Sequence, residues 1–382
     1  MSKRASNGQG HIRQRPNGLW EGIYTVWVNG EKKQKSIYGK TSAEVREKLT
    51  AITRDIDTGE FVNPDKITLA EWAEFWQENF LNGIKKTTLT QYSDLLRLHI
   101  LPALGHMRLQ AITTPMIQKF YNSLLKKLSA KSIKNVHGVL RQCLDKAVVC
   151  GYLRHNPADA CSLPKAAKHE MHVIESENIP MFLQAIRGSE YENLYFVALT
   201  TGMRQAEIIG LTWDCVDFSR GMIRVEKQLR KNHGRAGETY EFTSPKNGKI
   251  RILKPAPMVF DALKREKRKQ AENALKFAPI YENKDNLVFT NEIGEHLCSV
   301  TVYSRLKRVL KGIGLEEVRF HDLRHTYATL SIENGDDLKT VSGNLGHATV
   351  AFTADVYAHV TDRMKENSAD RMQAFLTGVI AK

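Results

Sequence analysis

The chain has 382 residues and an ordinary globular composition, 42% hydrophobic and 26% charged, which is enough material for two or three domains. Its five cysteines form no CxxC pair, which argues against a zinc ribbon. No run of about 18 or more apolar residues occurs and the first residues are polar, which argues against a membrane span and a secretory signal. The sequence therefore predicts a cytoplasmic protein. The net charge of +14 indicates a polyanionic partner, and most of it lies early, because residues 1–165 hold a surplus of 11 positive charges and the remainder a surplus of 3.

Residues 1–62 are predicted to form a small domain, a three-stranded sheet plus a helix. The stretch LWEGIYTVWV alternates apolar and polar residues as a half-buried strand does, and EKKQKSIYG is the expected returning strand. Asn29-Gly30 between them is typical of a two-residue hairpin turn. TSAEVREKLTAITRDIDTG begins with a capping residue and ends at Gly59, as a helix does. The lysines and arginines among these aromatic residues favour contact with nucleic-acid phosphates.

Two further domains are predicted after a polar, proline-containing linker. Residues 66–158 place apolar side chains three to four residues apart, as in LAEWAEFWQENF, and this predicts a compact helical domain rich in lysine. Residues 170–382 mix helices with short strands, of which MIRVEKQL and KIRILK are expected to pair as a hairpin. The predicted fold class is therefore multidomain: a small β-sheet plus helix, an all-α domain, and a mixed α+β domain.

Arg204 stands just after Gly202, at the start of a predicted helix in LTTGMRQAEIIGLTWDCVDF. The helix dipole opposes a cation at this end, so an anion that binds both the guanidinium and the free N–H groups would explain the arginine. The alternative is an ion pair with Glu207, three residues further on. Both interpretations stay open at this point.

The segment RFHDLRHTYA raises the question of a metal site, because His321 and His325 are four residues apart on a predicted helix. This is the histidine spacing of the metallopeptidase motif HExxH, but the second position holds Asp322 where the motif needs glutamate. Arg324 would also place a cation beside the metal. The sequence therefore favours a phosphate site, in which Arg324 binds oxygens with its planar guanidinium and His321 transfers a proton.

A candidate nucleophile follows in NLGHATVAFTADVYAHV, where Tyr357 stands ten residues after His347. A tyrosine attacks phosphorus as the phenolate, although its ordinary pKa of about 10 leaves it protonated at neutral pH. Two arginines nearby would favour both the phenolate and the transition state. The expected chemistry is phosphoryl transfer without a metal ion or other cofactor.

Together, TGMRQAEIIGLTWDCVD, HDLRHTYAT and LGHATVAFTADVYAHV resemble the three signature boxes of the tyrosine recombinases, in particular the integrases of phages and conjugative transposons. The boxes appear in the family's order over about 150 residues, and the resemblance covers the whole chain. It implies an arm-type DNA-binding domain at 1–62, a SAM-like core-type DNA-binding domain at 66–158, and a catalytic domain with a C-terminal tail at 170–382. The implied function is site-specific DNA recombination that integrates and excises a mobile element.

The resemblance also implies which residues act on the DNA strand. Tyr357 would attack the scissile phosphate, form a 3′-phosphotyrosine and release a 5′-hydroxyl. Arg204 and Arg324 would bind the non-bridging oxygens, and His347 would donate a further hydrogen bond to them. His321 would accept the tyrosine proton.

The family's lysine, which protonates the leaving 5′-oxygen, is expected in SPKNGKIRIL. Lys246 occupies the matching position and Lys249 is the alternative, because the long stretch before them leaves the register open. His325 is expected to have a structural role, and Glu207 and Asp214 are expected to support Arg204 and its loop.

The partners implied by the resemblance are double-stranded DNA at core-type and arm-type sites, further copies of the chain in a tetramer on DNA, a host DNA-bending protein and an excisionase. A bacterial, nucleoid-associated location follows from the same resemblance. The tail is expected to dock on a neighbouring copy through one apolar side formed by Met364, Met372, Phe375, Leu376 and Val379.

Two other functions are compatible with parts of the sequence. A type IB topoisomerase shares the tyrosine chemistry, but the arm-type domain and the tail argue against it. A DNA-binding factor that kept the fold without the chemistry is disfavoured by the complete set of site residues.

Overall fold

The computed structural model of the chain describes residues 11–28, 31–57, 66–165, 171–234, 237–245, 248, 250–347, 349–357, 372–373 and 375–380. The chain divides into two compact units, Met1–Lys168 and His169–Lys382. The finer division into domains at 1–62, 66–158 and 170–382 stays a prediction. Within the described ranges, no helix is both long enough and apolar enough to cross a bilayer.

The first unit begins with a small antiparallel sheet and one helix. The strand order is β1-β2-β3, and Tyr24, Val26 and Leu49 form the buried centre between sheet and helix. The predicted strands and helix are confirmed, whereas the predicted Asn29-Gly30 turn lies outside the described residues. The bounds are β1 His11–Gln14, β2 Trp20–Val28, β3 Glu31–Gly39 and α1 Ser42–Asp57.

The rest of the first unit is helical, as the apolar spacing predicts. Thr68 and Glu71 form a capping box that satisfies backbone N–H groups at the start of α2. Trp72 is fully buried in the core of these helices, and its indole Nε1 donates to the Cys143 carbonyl at 2.9 Å. A π-helical turn, Leu96–Ile100, joins α3 to α4. The bounds are α2 Leu69–Phe80, α3 Lys86–Leu95, α4 Leu101–Leu104, α5 Thr114–Leu124 and α6 Ala130–Val149.

The second unit packs helices around one large apolar core, in which α8 contacts both α10 and α12. This packing brings the end of α8 next to the middle of α12. The bounds are α7 Ile179–Ile186, α8 Glu192–Thr201, α9 Gln205–Ile209, α10 Pro257–Lys276, α11 Ser299–Gly312, α12 Phe320–Glu333, α13 Leu338–Leu345 and α14 Val350–Val356.

The strands of the second unit form two separate antiparallel sheets, β4-β5-β8 and β6-β7. The expected pairing of MIRVEKQL with KIRILK is confirmed, because Ile223 on β5 lies opposite Leu253 on β8. The two strands are not a simple hairpin, however, because the residues between them form a second antiparallel pair, β6 and β7. The bounds are β4 Val216–Asp217, β5 Met222–Val225, β6 Gln228–Gly234, β7 Gly237–Thr243 and β8 Arg251–Leu253.

The packing of the helical core predicts a large effect of Trp72→Ala. The substitution removes a buried side chain and leaves the Cys143 carbonyl without its indole donor, so the free energy of opening of α6 should fall by about 3–5 kcal/mol. Hydrogen exchange of the full chain, resolved to α6 peptides by mass spectrometry, measures this change. Leu98→Ala in the same unit is the control, because Leu98 is half-exposed and its loss should cost less than about 1 kcal/mol. Equal effects of the two variants would contradict the assignment of Trp72 to the core.

Candidate active site

The turn at Gly202 positions the first arginine. Gly202 ends α8 with a left-handed φ of 62°, and a Cβ there would lie 2.4 Å from Cδ1 of Tyr327. Only glycine satisfies both this backbone conformation and this space. Arg204 then stands immediately before α9, so the structure places it at the start of a helix, as the sequence predicts.

Glu207 is the charged centre of the site. Its buried carboxylate accepts hydrogen bonds from the Arg204 backbone N–H and from Arg204 Nη1, each at 2.8 Å. Arg251 on β8 donates to both oxygens, Nη1 to Oε1 at 3.0 Å and Nη2 to Oε2 at 2.6 Å. Burial raises the pKa of Glu207, but the Arg251 hydrogen bonds and the two cations outweigh it and lower this pKa to about 2.

Both interpretations of Arg204 are compatible with this geometry. The predicted ion pair with Glu207 is present, yet it uses only Nη1 of the guanidinium. Within the described residues, the other two nitrogens have no hydrogen-bond partner, and the side chain borders an open cleft. Arg204 can therefore bind an anion while it remains paired with Glu207.

Arg324 is the second arginine, and it is almost fully buried in the interior next to the first. Its Nη1 donates to the Gly202 carbonyl at 2.8 Å, and its Nη2 donates to the Leu345 carbonyl. Burial and the cation of Arg204 lower the pKa of Arg324 to about 9. Because its described hydrogen-bond partners are uncharged carbonyls, an anion at this point would be strongly stabilising.

The orientation of α12, which presents Arg324, is set by its first turn. Asp322 is fully buried and accepts hydrogen bonds from the Arg319 backbone N–H at 2.8 Å and from Arg319 Nε at 3.0 Å. A carboxylate at this end of the helix also interacts favourably with the dipole. The aspartate that stands where the metallopeptidase motif needs glutamate is therefore the N3 residue of the capping box of the helix.

His347 follows a second left-handed glycine, Gly346, which ends α13 with a φ of 64°. Its Nδ1 lies 2.8 Å from Oγ1 of Thr353. Burial and the cations of Arg324 and Arg204 lower the pKa of His347 to about 4, so the ring is neutral at neutral pH. When Nδ1 accepts the threonine proton, Nε2 bears the hydrogen and can donate to an anion.

Tyr357, the predicted nucleophile, is fully buried at the end of α14. Its hydroxyl is hydrogen-bonded to Nδ1 of His325 at 2.8 Å. Burial raises the pKa of Tyr357, and the cation of Arg324 opposes this shift only in part. The phenol is therefore protonated at neutral pH in the isolated chain, and its oxygen faces a histidine.

His321, the predicted proton acceptor, lies exposed at the start of α12. Its ring meets that of His325 edge-on, with centroids 5.1 Å apart. The pKa of His321 is lowered by desolvation in the surrounding protein and by the neighbouring His325 and Arg324, although the residue is exposed. The ring is therefore neutral at neutral pH and able to accept a proton. In the described contacts the Tyr357 hydroxyl is bonded to His325.

A cleft of about 320 Å³ borders Arg204, Arg251 and His347, whereas Arg324, His321 and Tyr357 are not among its lining residues. Arg204, Arg251 and Lys339 border it and make its lining basic. Pro245 and Ile250 also border the cleft, and they flank the predicted lysines. Lys246 and Lys249 themselves lie outside the described residues. The complete lining is Arg204, Pro245, Ile250, Arg251, Lys339, Ser342, Gly343, Gly346, His347, Thr349 and Val350.

Sequence reasoning did not identify Arg251, and it gave His325 only a structural role. The signal for Arg251 is a charged residue between Ile250 and Ile252 in an otherwise apolar strand. Of the two predicted supports of Arg204, Glu207 is confirmed as its direct partner. Asp214 instead hydrogen-bonds Thr212 and lies close to Cys215.

Comparison with known proteins adds two family matches. Residues 172–364 match the model of the phage integrase family, and residues 68–125 match the SAM-like N-terminal domain of phage integrases. A tyrosine recombinase XerC-like protein of Caldanaerobacter subterraneus is 29% identical over 90% of this chain and 92% of its own length. The ICEBs1 integrase of Bacillus subtilis is 28% identical over 70% of this chain and 72% of its own length.

Solved structures share the fold at lower identity. The Tn1549 transposon integrase in complex with transposon right end DNA has a TM-score of 0.69 and 21% identity, covering 80% of this chain and 100% of that one. A lambda integrase tetramer bound to a Holliday junction has a TM-score of 0.58 and 20% identity, covering 91% and 97%.

The electrostatics of Glu207 predict a pH-dependent stability. Its pKa of about 2 lies below the usual 4.5, so its ionised form stabilises the folded chain fully above pH 4.5, and this stabilisation is lost as the pH falls toward 2. Glu207→Gln should therefore be less stable than wild type above pH 4.5, and the difference should shrink on acidification. Urea denaturation of both proteins, followed by circular dichroism across this range, measures the difference. A gap that stays constant with pH would show that the carboxylate charge does not stabilise the fold.

Proposed function

The chain belongs to the phage integrase family and is a site-specific DNA recombinase of the tyrosine class, and from this premise we propose that Tyr357 is the nucleophile that cleaves and rejoins DNA. The observation that supports this assignment is the packing of the end of α14 against the basic site, where Tyr357 lies within hydrogen-bond distance of His325 and close to Arg324. The expected outcome is integration and excision of a mobile element.

In the proposed cleavage step, the Tyr357 oxygen forms a bond to the scissile phosphorus while the bond from phosphorus to the 5′-oxygen breaks. Arg204 and Arg324 bind the non-bridging oxygens, and His347 donates to one of them through Nε2. These donors are arranged before the substrate arrives, so they stabilise the charge of the transition state with little reorganisation. The product is a 3′-phosphotyrosine, and attack by a 5′-hydroxyl of another strand reverses the step.

Two proton transfers accompany this exchange. We assign the tyrosine proton to His321, which is neutral at neutral pH and accessible. We assign protonation of the leaving 5′-oxygen to Lys246, because Pro245 and Ile250, which flank it in the sequence, border the cleft. The cations occupy the place that divalent ions fill in other phosphoryl-transfer sites, so we propose that the reaction needs no metal.

The buried position of Tyr357 has a consequence for this mechanism. The hydroxyl is bonded to His325 and the side chain is absent from the cleft lining. The end of α14 must therefore turn before the oxygen reaches a phosphate in the cleft. We propose that DNA binding favours this turn, because a phosphate bound by Arg204 and Arg324 offers the Tyr357 hydroxyl an alternative to its hydrogen bond with His325.

The proposed partners follow from the same premise and from the exposed surfaces. We assign 1–62 to arm-type sites, 66–158 to core-type sites and 170–382 to catalysis, on double-stranded DNA. Tetramer formation on DNA, a host DNA-bending protein, an excisionase and a nucleoid-associated cytoplasmic location complete the proposal. Of the apolar residues predicted to dock the tail on a neighbouring copy, Met364 lies outside the described residues and the others are exposed in the single chain: Met372, Phe375, Leu376 and Val379.

Covalent trapping tests the nucleophile and separates the alternatives. Wild type should form a covalent complex with a nicked duplex that contains the end sequence of its own mobile element, in the presence of EDTA, whereas Tyr357→Phe should form none. A denaturing gel measures the complex, and a filter-binding assay confirms that both proteins bind the DNA. Binding by wild type without a covalent complex would favour a DNA-binding factor, and relaxation of supercoiled plasmid without a partner site would favour a topoisomerase.

A sulfur substitution tests the lysine. A 5′-bridging sulfur leaves without protonation, because a thiol is far more acidic than an alcohol. Lys246→Ala should slow cleavage of the oxygen substrate by about 100-fold and leave cleavage of the sulfur substrate near the wild-type rate. Lys249→Ala is the matched control and should cleave both substrates like wild type. If Lys249→Ala shows the rescue instead, the general acid is Lys249.

A further inference from the structure

We propose that Arg251 is a positioning residue that keeps the Glu207 carboxylate from capturing the guanidinium of Arg204. The inference rests on the proposed function, in which Arg204 binds the scissile phosphate. Arg251 donates to both carboxylate oxygens, with hydrogen bonds of 3.0 Å and 2.6 Å, and the Arg204 guanidinium donates to Glu207 from Nη1 alone. A carboxylate held this way has no free oxygen to draw in the remaining nitrogens of Arg204.

The charges explain why a second arginine is needed. The Glu207 side chain has no exposed surface, and 9% of the Arg251 side chain and 23% of the Arg204 side chain are exposed. One carboxylate between two guanidinium groups leaves a net charge of +1, and both arginines border the cleft, Arg204 with the more exposed side chain. Without Arg251, Glu207 and Arg204 would neutralise each other in a low-dielectric environment, where such a pair is strong. The phosphate would then compete with a protein carboxylate for the same cation.

Arg251 also connects three segments of the site. Its Nε donates to the Asn344 carbonyl at 2.8 Å, in the last turn of α13. Its guanidinium packs on Gly346, where a Cβ would lie 3.2 Å from Nη1. His347 follows directly, so the same side chain supports α9, through Glu207, and the loop that presents His347. Each of the three guanidinium nitrogens donates one of these hydrogen bonds, which holds the Arg251 side chain in place between the segments.

A four-protein comparison tests the proposal: wild type, Arg251→Met, Glu207→Gln and the double variant. The readouts are DNA affinity and the rate of covalent complex formation on the nicked duplex described above. Arg251→Met should slow covalent complex formation by about 100-fold with affinity changed less than about threefold. In the double variant the neutral glutamine no longer competes for Arg204, so the rate should return to within about tenfold of wild type. Recovery supports the positioning role when circular dichroism shows that Arg251→Met is itself folded, because restored folding then cannot account for the restored rate.

The double variant also protects the test against misfolding. Arg251→Met leaves a buried carboxylate with one partner, whereas the double variant leaves no orphaned charge. Arg251→Lys is a further variant that keeps the charge but cannot satisfy both oxygens, so its rate should lie between those of wild type and Arg251→Met. Arg224→Met is the control, because it removes an arginine–glutamate pair of 2.6 Å in the same sheet, outside the cleft lining, and should not slow the reaction.

Two results would overturn the inference. One is a double variant as slow as Arg251→Met with both proteins folded by circular dichroism; the other is Arg251→Met as fast as wild type. Either result counts against the proposed positioning role of Arg251 only when wild type forms the covalent complex. Failure of wild type itself would contradict the proposed function instead.

Discussion

The arrangement of the site depends on one buried carboxylate. The Glu207 side chain has no exposed surface, and an unpaired charge there would cost much free energy. Its ionisation therefore requires the cations that surround it. Those cations come from residues far apart in sequence, Arg204 before α9 and Arg251 on β8. The carboxylate thereby joins a helix and a sheet at the cleft, and it does so with one positive charge left over. This excess of positive charge favours the binding of an anion.

The second constraint is the close approach of α8, α12 and α13. Gly202 and Gly346 are both left-handed residues that end helices, and each lies beside side chains of the site. Arg324 binds the carbonyl of Gly202 and the carbonyl of Leu345, next to Gly346. Backbone carbonyls at the ends of two helices therefore hold the Arg324 guanidinium in place. The binding geometry is built mainly from rigid helix termini, which favours preorganisation.

Local features were predictable from the sequence because they depend on neighbours along the chain. The alternation in LWEGIYTVWV predicts β2, the spacing in LAEWAEFWQENF predicts α2, and the position of Arg204 after a glycine predicts its place at a helix start. Contacts that join distant segments were not predictable in this way. Nothing in the spacing indicates that Arg251 pairs with Glu207, or that the Tyr357 hydroxyl meets His325. The β6–β7 pair was also not predicted, and it lies in the sequence between the paired strands β5 and β8.

The proposed mechanism depends most directly on which residue becomes linked to DNA. The decisive measurement is mass spectrometry of the trapped complex after nuclease and protease digestion, with fragmentation of the modified peptide. The account predicts a nucleotide attached through its 3′-phosphate to Tyr357 and to no other residue. A nucleotide on a different side chain, or one attached through a 5′-phosphate, would contradict it.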